Sequence, residues 1–494
     1  MRYPMFTPRA LVTALASLGL AHAAFADDDF DFGLKVEQQL KAKSEKLFGV
    51  EKPLSDSAPA TSGAYRTPTQ SAYDQILAAH GLKVEYLTRN AANNTDMMFL
   101  WPNGEHPTHL ITAVEEFSPK VIGTLPSGLP KMTPSVQRIN LATGQIDTVL
   151  RGLAGADGIR LTPWGTVLVT EESDDGGAYE IIDPINTTNH TVTDRAAGVV
   201  VDAAGAVSFN VAKRHALPRL AWEGIGVLPS GVVYLGDEER PGSGGFDADG
   251  GAIFKFIPSA PHLGGAIGNL NQSPLVNGTV YAMQASCVSN TQQLGQGCEI
   301  GNAGWVQIDP ANARVDANAK GATGYYRPED LELDPMYQNP TTPQAVRFCW
   351  ANTGNEGGKN YGEVVCGIDS APLSASSART VVVNRFVEGD TDFNAFDNLA
   401  FQPKTGNLYV IEDHNNGDVF ACLPDGQDRD IKTDGCVKIL SVKDTSAEPT
   451  GFFFAPDGRT AYVSIPHSRD DLMPKVDDYG TDDILKITGY KVKK

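Results

Sequence analysis

A repeated hairpin unit constrains the fold of this chain more than any other feature of its sequence. Each copy has an acidic residue, an apolar strand, a turn rich in Pro or Gly, and a second strand that ends in acidic residues. Complete copies run from Asp157 to Glu172, from Glu223 to Glu239 and from Asp397 to Asp413. The turn residues supply the backbone dihedrals of tight turns, and the alternating apolar residues supply half-buried strands. The pattern therefore predicts a series of antiparallel hairpins.

Further partial copies begin at Glu329 and Glu448, so the hairpins are spread over most of the chain. Radial repetition of such units is typical of a β-propeller, which leaves only short sheet edges exposed. The 50 glycines and 31 prolines follow no fixed period and agree with many short strands and turns. We therefore expect an all-β fold, a β-propeller of about six blades. A pair of β-sandwiches is the alternative that the same strands allow.

The N-terminus has the features of a signal peptide: a basic end, a short apolar run and the small-x-small site Ala24-Phe25-Ala26. We predict a signal peptide over residues 1–26, an N-terminal extension and linker over 27–70, and the propeller over 71–494. Amphipathic helices are expected at Phe32–Phe48 and Ser71–His80. No later stretch is long and apolar enough to span a bilayer. The mature protein is therefore expected in the periplasm or outside the cell.

The six cysteines agree with export, because they form three couples that are local in sequence. Each couple flanks a segment rich in Gly, Asn or Asp, and no C-x-x-C zinc pattern occurs. Locality alone favours three structural disulfides: Cys287–Cys298, Cys349–Cys366 and Cys422–Cys436.

The formal net charge of −20 argues against nucleic acid or an anionic membrane as a partner, because phosphate backbones require a basic face. It agrees with cation binding, although many exported proteins are acidic for solubility alone. We expect a monomer that acts on a small molecule.

The ends of the hairpins predict where the acidic residues meet. In an antiparallel hairpin, the residue before the first strand and the residue after the second lie at the same end. Blades of one polarity would therefore bring all these carboxylates to one rim, where a cation is needed to keep them ionised. Oxygen ligands favour hard divalent ions, above all calcium. The alternative is that acidic residues merely mark exposed turns.

Other candidate sites are fewer. Asp247 and Asp249 could form a separate calcium loop, and His467 has a neighbourhood that suits a site. The sequence contains no G-x-S-x-G, H-E-x-x-H or P-loop pattern.

The segment around Trp164 resembles the PhoX-type alkaline phosphatases, a bacterial propeller family. The similar stretches follow the family's order between about residues 150 and 470. They are Thr162–Thr166 with Thr170–Glu172, Glu223–Gly224 with Tyr234–Glu238, Arg327–Asp330, and Asp397–Phe401 with Ser464–His467.

The resemblance implies a metal-dependent phosphomonoesterase with a cluster of iron and calcium at one end of the propeller. It implies that Glu172, Glu223 and Glu329 are metal ligands and that Arg327 binds phosphate. Asp157 stands where the family has a cysteine that is a soft ligand to iron. Carboxylate favours calcium over iron at that position. The candidate metal ligands are therefore Asp157, Glu172, Glu223, Asp237, Glu329 and Asp397.

Three classes of function agree with these features. The first is a calcium-dependent phosphatase that acts on small organic phosphates. The second is a calcium-dependent lactonase or esterase on the same rim, and the third is a non-catalytic, calcium-stabilised propeller that binds a partner.

Overall fold

Strands are the main secondary structure of the described residues, whose few α-helices lie near the N-terminus and in one insertion between strands. The structure is a computed structural model that describes residues 32–62, 65–241, 250–285, 299–424 and 435–492. The predicted signal peptide, the Asp247–Asp249 loop and the Cys287–Cys298 disulfide lie outside the described residues. The helices are α1 (Phe32–Ala42), α2 (Ser44–Leu47), α3 (Ala72–Gln75) and α4 (Ala313–Ala319), with 3₁₀ turns at Leu270–Gln272, Pro274–Val276, Pro310–Asn312 and Glu356–Gly358. In the part of the chain that the structure describes, no helix is long and apolar enough to cross a membrane.

The strands follow in chain order. The first group is β1 (Ile76–Ala78), β2 (Lys83–Ala92), β3 (Thr95–Trp101), β4 (His109–Val114), β5 (Val121–Thr124), β6 (Pro130–Met132), β7 (Pro134–Asn140), β8 (Ile146–Arg151), β9 (Ala156–Leu161), β10 (Val167–Glu171), β11 (Ala178–Ile181), β12 (His190–Asp194), β13 (Val199–Val201) and β14 (Val211–Lys213). The second group is β15 (Trp222–Val227), β16 (Val233–Asp237), β17 (Gly251–Pro258), β18 (Gly278–Ala285), β19 (Gly301–Ile308), β20 (Gly324–Tyr325), β21 (Pro328–Leu333), β22 (Val346–Asn352), β23 (Glu363–Asp369) and β24 (Val381–Glu388). The third is β25 (Phe396–Phe401), β26 (Leu408–Glu412), β27 (Asp418–Cys422), β28 (Cys436–Val442), β29 (Thr450–Phe454), β30 (Ala461–Ile465) and β31 (Thr481–Thr488).

The helix predicted for Ser71–His80 is wrong beyond its first turn. Ser71 caps α3, since its hydroxyl accepts from the Tyr73 N–H at 3.3 Å, and its own N–H donates to Asp74 at 3.0 Å. The chain then becomes strand β1, whose Ile76 pairs with Val442 at the edge of a sheet. Tertiary pairing here overrides the local helical pattern. The N-terminal helix predicted for Phe32–Phe48 is divided into α1 and α2.

Inner strands surround a central axis, and each contacts the next in a closed ring: β3, β9, β15, β21, β25 and β29. The sheet that spreads outward from each inner strand is a blade, and we number the blades 1 to 6 in this order. Blade 1 is β3-β4-β7-β8-β12-β13, blade 2 is β9-β10-β11-β14, blade 3 is β15 to β19, blade 4 is β21 to β24, blade 5 is β25 to β28 with β1, and blade 6 is β29 to β31 with β2. Blades 3 and 4 form one continuous sheet through the pairing of β19 with β24. The all-β propeller prediction is confirmed, and the closed ring excludes separate sandwiches.

Hydrophobic cores lie between successive blades. Trp164, Trp222 and Phe254 are fully buried between blades 2 and 3, and Phe348 and Trp350 between blades 3 and 4. Because each sheet packs on two neighbours, strands read as apolar on both faces where they approach the axis.

The ring is closed by strands from both ends of the chain. Strand β2 pairs with the C-terminal strand β31, and Lys83 faces Thr488 at one end of this pairing. The buried Arg66 binds Asp483 of β31 at 2.6 Å, and Arg89 binds the same carboxylate at 3.0 Å. This ion pair fastens the segment before β2 to the last blade, so the closure does not depend on strand pairing alone.

Two of the three predicted disulfides are confirmed, Cys349–Cys366 and Cys422–Cys436. Each joins residues that face each other on neighbouring strands, β22 with β23 and β27 with β28. The four sulfurs share the hydrophobic core between blades 4 and 5. Sequence locality identified them because a hairpin brings its own two strands into register.

Candidate metal centre

Every inner hairpin begins with the same irregularity. At the start of each inner strand, two residues oppose a single residue of the next strand, which is the geometry of a β-bulge. A bulge turns a side chain away from the regular alternation of the strand, and bulges are common beside active sites. The paired bulge residues are Asp96-Met97, Asp157-Gly158, Glu223-Gly224, Glu329-Asp330, Asp397-Asn398 and Gly451-Phe452.

The first residue of the bulge is acidic in blades 1 to 5 and glycine in blade 6. We call these five acidic residues the first ring: Asp96, Asp157, Glu223, Glu329 and Asp397. Their side chains are close enough to interact: beside burial, the charges of Asp157 and Glu329 raise the pKa of Glu223. In blade 6 Gly451 has a φ of +58°, and an added Cβ would lie 2.5 Å from the backbone oxygen of Asp96. Blade 6 therefore approaches blade 1 through a glycine.

Two overlapping groups of carboxylates converge within the first ring and its neighbours. One comprises Asp157, Glu172 and Glu223, and the other comprises Glu223, Glu329 and Asp397. Within each group the possible ligand atoms lie within 4.8 Å of one another. Glu223 belongs to both groups, so the structure brings together five of the six acidic residues that the sequence nominated.

A second ring of acidic residues follows the second strand of the hairpins. In five blades the first residue past that strand donates its N–H to the carbonyl of the residue just before the inner strand. The pairs are Glu115 to Asn94 (2.8 Å), Glu172 to Gly155 (2.6 Å), Glu238 to Ala221 (3.0 Å), Thr353 to Arg327 (3.1 Å) and Asp413 to Ala395 (2.7 Å). We call Glu115, Glu172, Glu238 and Asp413 the second ring. The carboxyl of Glu172 contacts those of Glu115 and Glu238.

Asp237, the sixth acidic residue nominated from the sequence, does not join these groups. It is the last residue of β16 and faces away from the second ring. On that other face each of its two oxygens binds Arg314 at 2.8 Å. Glu171 of blade 2 is equivalent and binds Arg195 at 2.5 Å. Since successive strand residues point to opposite faces, the site side chain is the next one, Glu238. We therefore leave Asp237 out of the proposed ligand set.

Arg327 brings a positive charge to the two rings. Its guanidinium lies 2.6 Å from Glu238, 2.9 Å from Glu329 and 3.3 Å from Asp413. Although burial opposes it, these carboxylates raise the pKa of Arg327, so the residue stays protonated.

The backbone of Arg327 is in the left-handed region, with a φ of 57°. The equivalent positions before β3, β9 and β25 are Asn94, Gly155 and Ala395, which share this conformation. A long side chain at such a position costs on the order of 1 kcal/mol and is typical of functional sites.

Burial raises the pKa of the clustered carboxyls, and their mutual repulsion adds to the effect. The pKa of Asp157 is raised to about 6 and that of Glu115 to about 7. The pKa values of Glu223, Glu329 and Asp397 are also raised, chiefly by burial. A bound cation would remove this conflict.

The donor set suits a hard cation. Both carboxylate oxygens of Asp157 are buried, no N–H group or alcohol hydroxyl of the described residues donates to them, and the carboxyls of Asp96 and Glu223 lie beside them. The candidate ligands are carboxylate oxygens, which calcium and magnesium prefer. Among the described cysteines, all four are in disulfides, so none of them offers a thiolate.

His467 lies at the edge of the second ring. Its Nε2 is 3.0 Å from the Glu448 carboxylate, and this contact raises the pKa of His467 to about 9. Glu448 in turn contacts Asp413. The histidine therefore adds a second cation to the rim, on the side of blade 6.

Sequence reasoning did not nominate Asp96, Glu115, Glu238 or Asp413 as site residues, although it placed Asp413 at the same end of its hairpin as Asp397. The first two belong to a further copy of the hairpin unit, from Asp96 to Glu116, with the longer turn Pro102–Pro107. The same acid-strand-turn-strand-acid pattern would have identified it.

The sequence matches the family described as alkaline phosphatase PhoX over residues 156–468, which is more than half of the chain. The chain belongs to the PhoX alkaline phosphatase family. The matched segment contains the first-ring residues of blades 2 to 5 and Arg327. No curated protein matches the sequence.

One solved structure supports the fold. Pseudomonas fluorescens PhoX in complex with vanadate, a transition state analogue, is similar with a TM-score of 0.53 at 16% identity, over 88% of this chain and 98% of that one. More distant are the PQQ-bound aldose sugar dehydrogenase of Streptomyces coelicolor (TM-score 0.39, 12% identity, 83% and 99% covered) and a gluconolactonase of Xanthomonas campestris (TM-score 0.36, 11% identity, 89% and 98% covered).

The raised carboxyl pKa values predict how stability depends on pH without metal. Because these carboxyls hold protons more tightly in the folded state, the free energy of unfolding falls as pH rises from about 4 towards 7. In chelator, we expect a melting temperature about 5 °C lower at pH 8 than at pH 5. Saturating calcium should largely abolish this difference. Scanning calorimetry would contradict the prediction if the chelated protein melted higher at pH 8.

Proposed function

We propose that this chain is an exported, calcium-dependent phosphomonoesterase whose site is the carboxylate-lined end of the propeller. The observation that carries the proposal is Arg327, a guanidinium in a left-handed backbone conformation among clustered carboxylates. Arg donors match the oxygens of a phosphate. Membership of the PhoX alkaline phosphatase family and fold similarity to a PhoX protein bound to vanadate support the same reaction.

Metal binding and phosphate binding fall to different residues. Asp157, Glu172, Glu223, Glu329 and Asp397 would hold the cations. When bound, such ions neutralise phosphoryl oxygens and activate a water for attack on phosphorus. Arg327 would bind the remaining phosphoryl oxygens and stabilise the charge that develops as the ester bond breaks. The carboxylates that hold Arg327 orient its guanidinium before the substrate arrives.

Calcium is our choice of metal because of the donor chemistry. The family resemblance implies iron together with calcium, with a cysteine ligand at the position of Asp157. Asp157 offers two buried oxygens to which no N–H group or alcohol hydroxyl of the described residues donates. An oxygen-only set at this position favours calcium over iron.

Export is supported by the two disulfides, because such bonds persist in oxidising compartments. The predicted signal peptide over residues 1–26 and the acidic charge of −20 agree with a periplasmic or secreted protein.

The test is reconstitution of the chelated mature protein with single metals. We expect hydrolysis of p-nitrophenyl phosphate to return with calcium, to be absent in chelator, and to be inhibited by vanadate. Calcium binding without hydrolysis between pH 6 and 10 would refute the phosphatase proposal and favour a non-catalytic propeller. Iron at stoichiometric amounts in the purified protein, required for activity, would refute the choice of calcium.

A further inference from the structure

One exposed aromatic ring stands beside the carboxylate rings. Phe117 follows Glu115 of the second ring by two residues, and 52% of its surface is exposed. Among the described aromatic residues, Phe209 and Tyr73 are also exposed. Phe209 precedes β14, the outermost strand of blade 2, and Tyr73 lies in α3 at the outer edge of the propeller. Phe117 therefore differs from them by its position at the rim.

The ring of Phe117 lies over Gly155, in the turn that leads into β9. A Cβ added at Gly155 would be 3.0 Å from two atoms of the ring. The N–H of Gly155 donates to the Glu116 carbonyl at 3.1 Å, and its carbonyl accepts from the Glu172 N–H at 2.6 Å. The ring thus covers Gly155, which lies two residues before Asp157 and whose carbonyl positions the backbone of Glu172.

The insertion that follows Phe117 is fastened without it. In β5 and the turn after it, Ile122 packs against Val114 and Tyr479, and Leu125 is buried. Lys131 of β6 binds Asp477 at 2.5 Å. The segment from Phe117 through β5 and β6 is therefore held at the rim by other side chains, and the Phe117 ring is not needed for that packing. Such a ring can bind a ligand without the ordering cost of a mobile loop.

The ring is placed to meet the organic part of a substrate. Phe117 follows the inner hairpin of blade 1, whereas Arg327 precedes the inner strand of blade 4, the fourth in the ring of inner strands. The two residues therefore stand on opposite sides of the axis. If the ester oxygen of a phosphate held by Arg327 and the carboxylate-bound cations points towards blades 1 and 2, its organic group reaches the side of the rim where Phe117 lies.

From this placement we infer that Phe117 is a specificity-determining residue and that the preferred substrates are phosphomonoesters of aromatic alcohols, whose ring packs on the Phe117 ring. The inference rests on the proposed phosphatase function and names its substrate class. Aromatic pairs contribute about 1 kcal/mol beyond the area they bury, which corresponds to about fivefold in affinity.

The experiment compares two non-hydrolysable ligands, phenylphosphonate and methylphosphonate, by calorimetry on the calcium-loaded protein. We expect Phe117→Ala to weaken phenylphosphonate binding about fivefold and methylphosphonate binding less than twofold. Phe117→Trp should retain the preference for the phenyl ligand. Phe209→Ala, the same substitution at an exposed ring far from the rim, should change neither affinity.

Turnover supplies an independent readout. In Phe117→Ala the KM for p-nitrophenyl phosphate should rise about fivefold with kcat unchanged, whereas the KM for glycerol phosphate should stay constant. Equal effects on the two ligands, or no effect on either, would overturn the role of Phe117 while phosphatase activity stands. If the wild-type protein binds neither phosphonate and hydrolyses neither ester, the proposed function fails and this inference fails with it.

Discussion

Glu223→Gln should lower kcat/KM for p-nitrophenyl phosphate at least about a hundredfold and weaken calcium binding by a similar factor. Glu223 is the carboxylate shared by the two groups of possible ligands, and its oxygens lie within 4.8 Å of the ligand atoms in both. The amide keeps the shape and one acceptor oxygen but loses the negative charge. Calcium titration by calorimetry, beside steady-state kinetics at saturating calcium, separates weaker metal binding from impaired chemistry.

The same substitution should stabilise the metal-free protein, and this opposite sign makes the prediction specific. Burial raises the pKa of Glu223, and in the absence of a cation repulsion from Asp157 and Glu329 raises it further. Removing the charge relieves this repulsion, so in chelator at pH 8 the melting temperature should rise by about 2–4 °C. Glu85→Gln, on the exposed face of β2, is the matched control and should change neither property. A variant that melts lower in chelator while activity is retained would contradict the assignment of Glu223 to the metal centre.

The fold was accessible from sequence because the hairpin units carry their own evidence. Local turns, alternating apolar residues and sequence-local cysteines such as Cys349 and Cys366 all act over short separations. Strand β1 was missed for the opposite reason, because its partner Val442 lies at the other end of the chain. Pairing of that kind leaves no trace in local periodicity.

The candidate site was accessible only in outline. The matched ends of the hairpins correctly brought Asp157, Glu223 and Asp397 to one end of the propeller. The sequence could not indicate which of two adjacent acidic residues faces the axis, because adjacent strand residues point to opposite faces and the hairpin pattern alone does not say which face is which. Asp237 was therefore chosen where the structure favours Glu238. The left-handed backbone of Arg327 is equally invisible in sequence, and only the repeated geometry of the blades shows that a long charged side chain stands where other blades have Asn94, Gly155 or Ala395.

Arg327→Met should lower kcat/KM about a hundredfold to a thousandfold while calcium affinity is retained or increases. The guanidinium is the phosphate-binding cation in our proposal, so its loss removes transition-state stabilisation. In the wild-type protein the guanidinium also neutralises part of the charge of Glu238, Glu329 and Asp413, which it contacts at 2.6, 2.9 and 3.3 Å. Without it the rings are more negative and attract a divalent ion more strongly.

The direction of the calcium effect distinguishes Arg327 from the ligands, since Glu223→Gln weakens metal binding and Arg327→Met does not. Arg327→Lys should have an intermediate rate, because a lysine keeps the charge but not the paired donors that match phosphate. Arg379→Met is the control, since Arg379 is exposed and, among the described residues, donates to the carbonyls of Gln284 and Asn302 and to no carboxylate. Vanadate inhibition gives the decisive comparison. In Arg327→Met the inhibition constant of vanadate should increase by about the factor by which kcat/KM falls, and in Arg379→Met it should stay unchanged. If Arg327→Met retained wild-type inhibition by vanadate, Arg327 would be a structural counter-ion of Glu329 and the phosphate would be bound elsewhere on the rim.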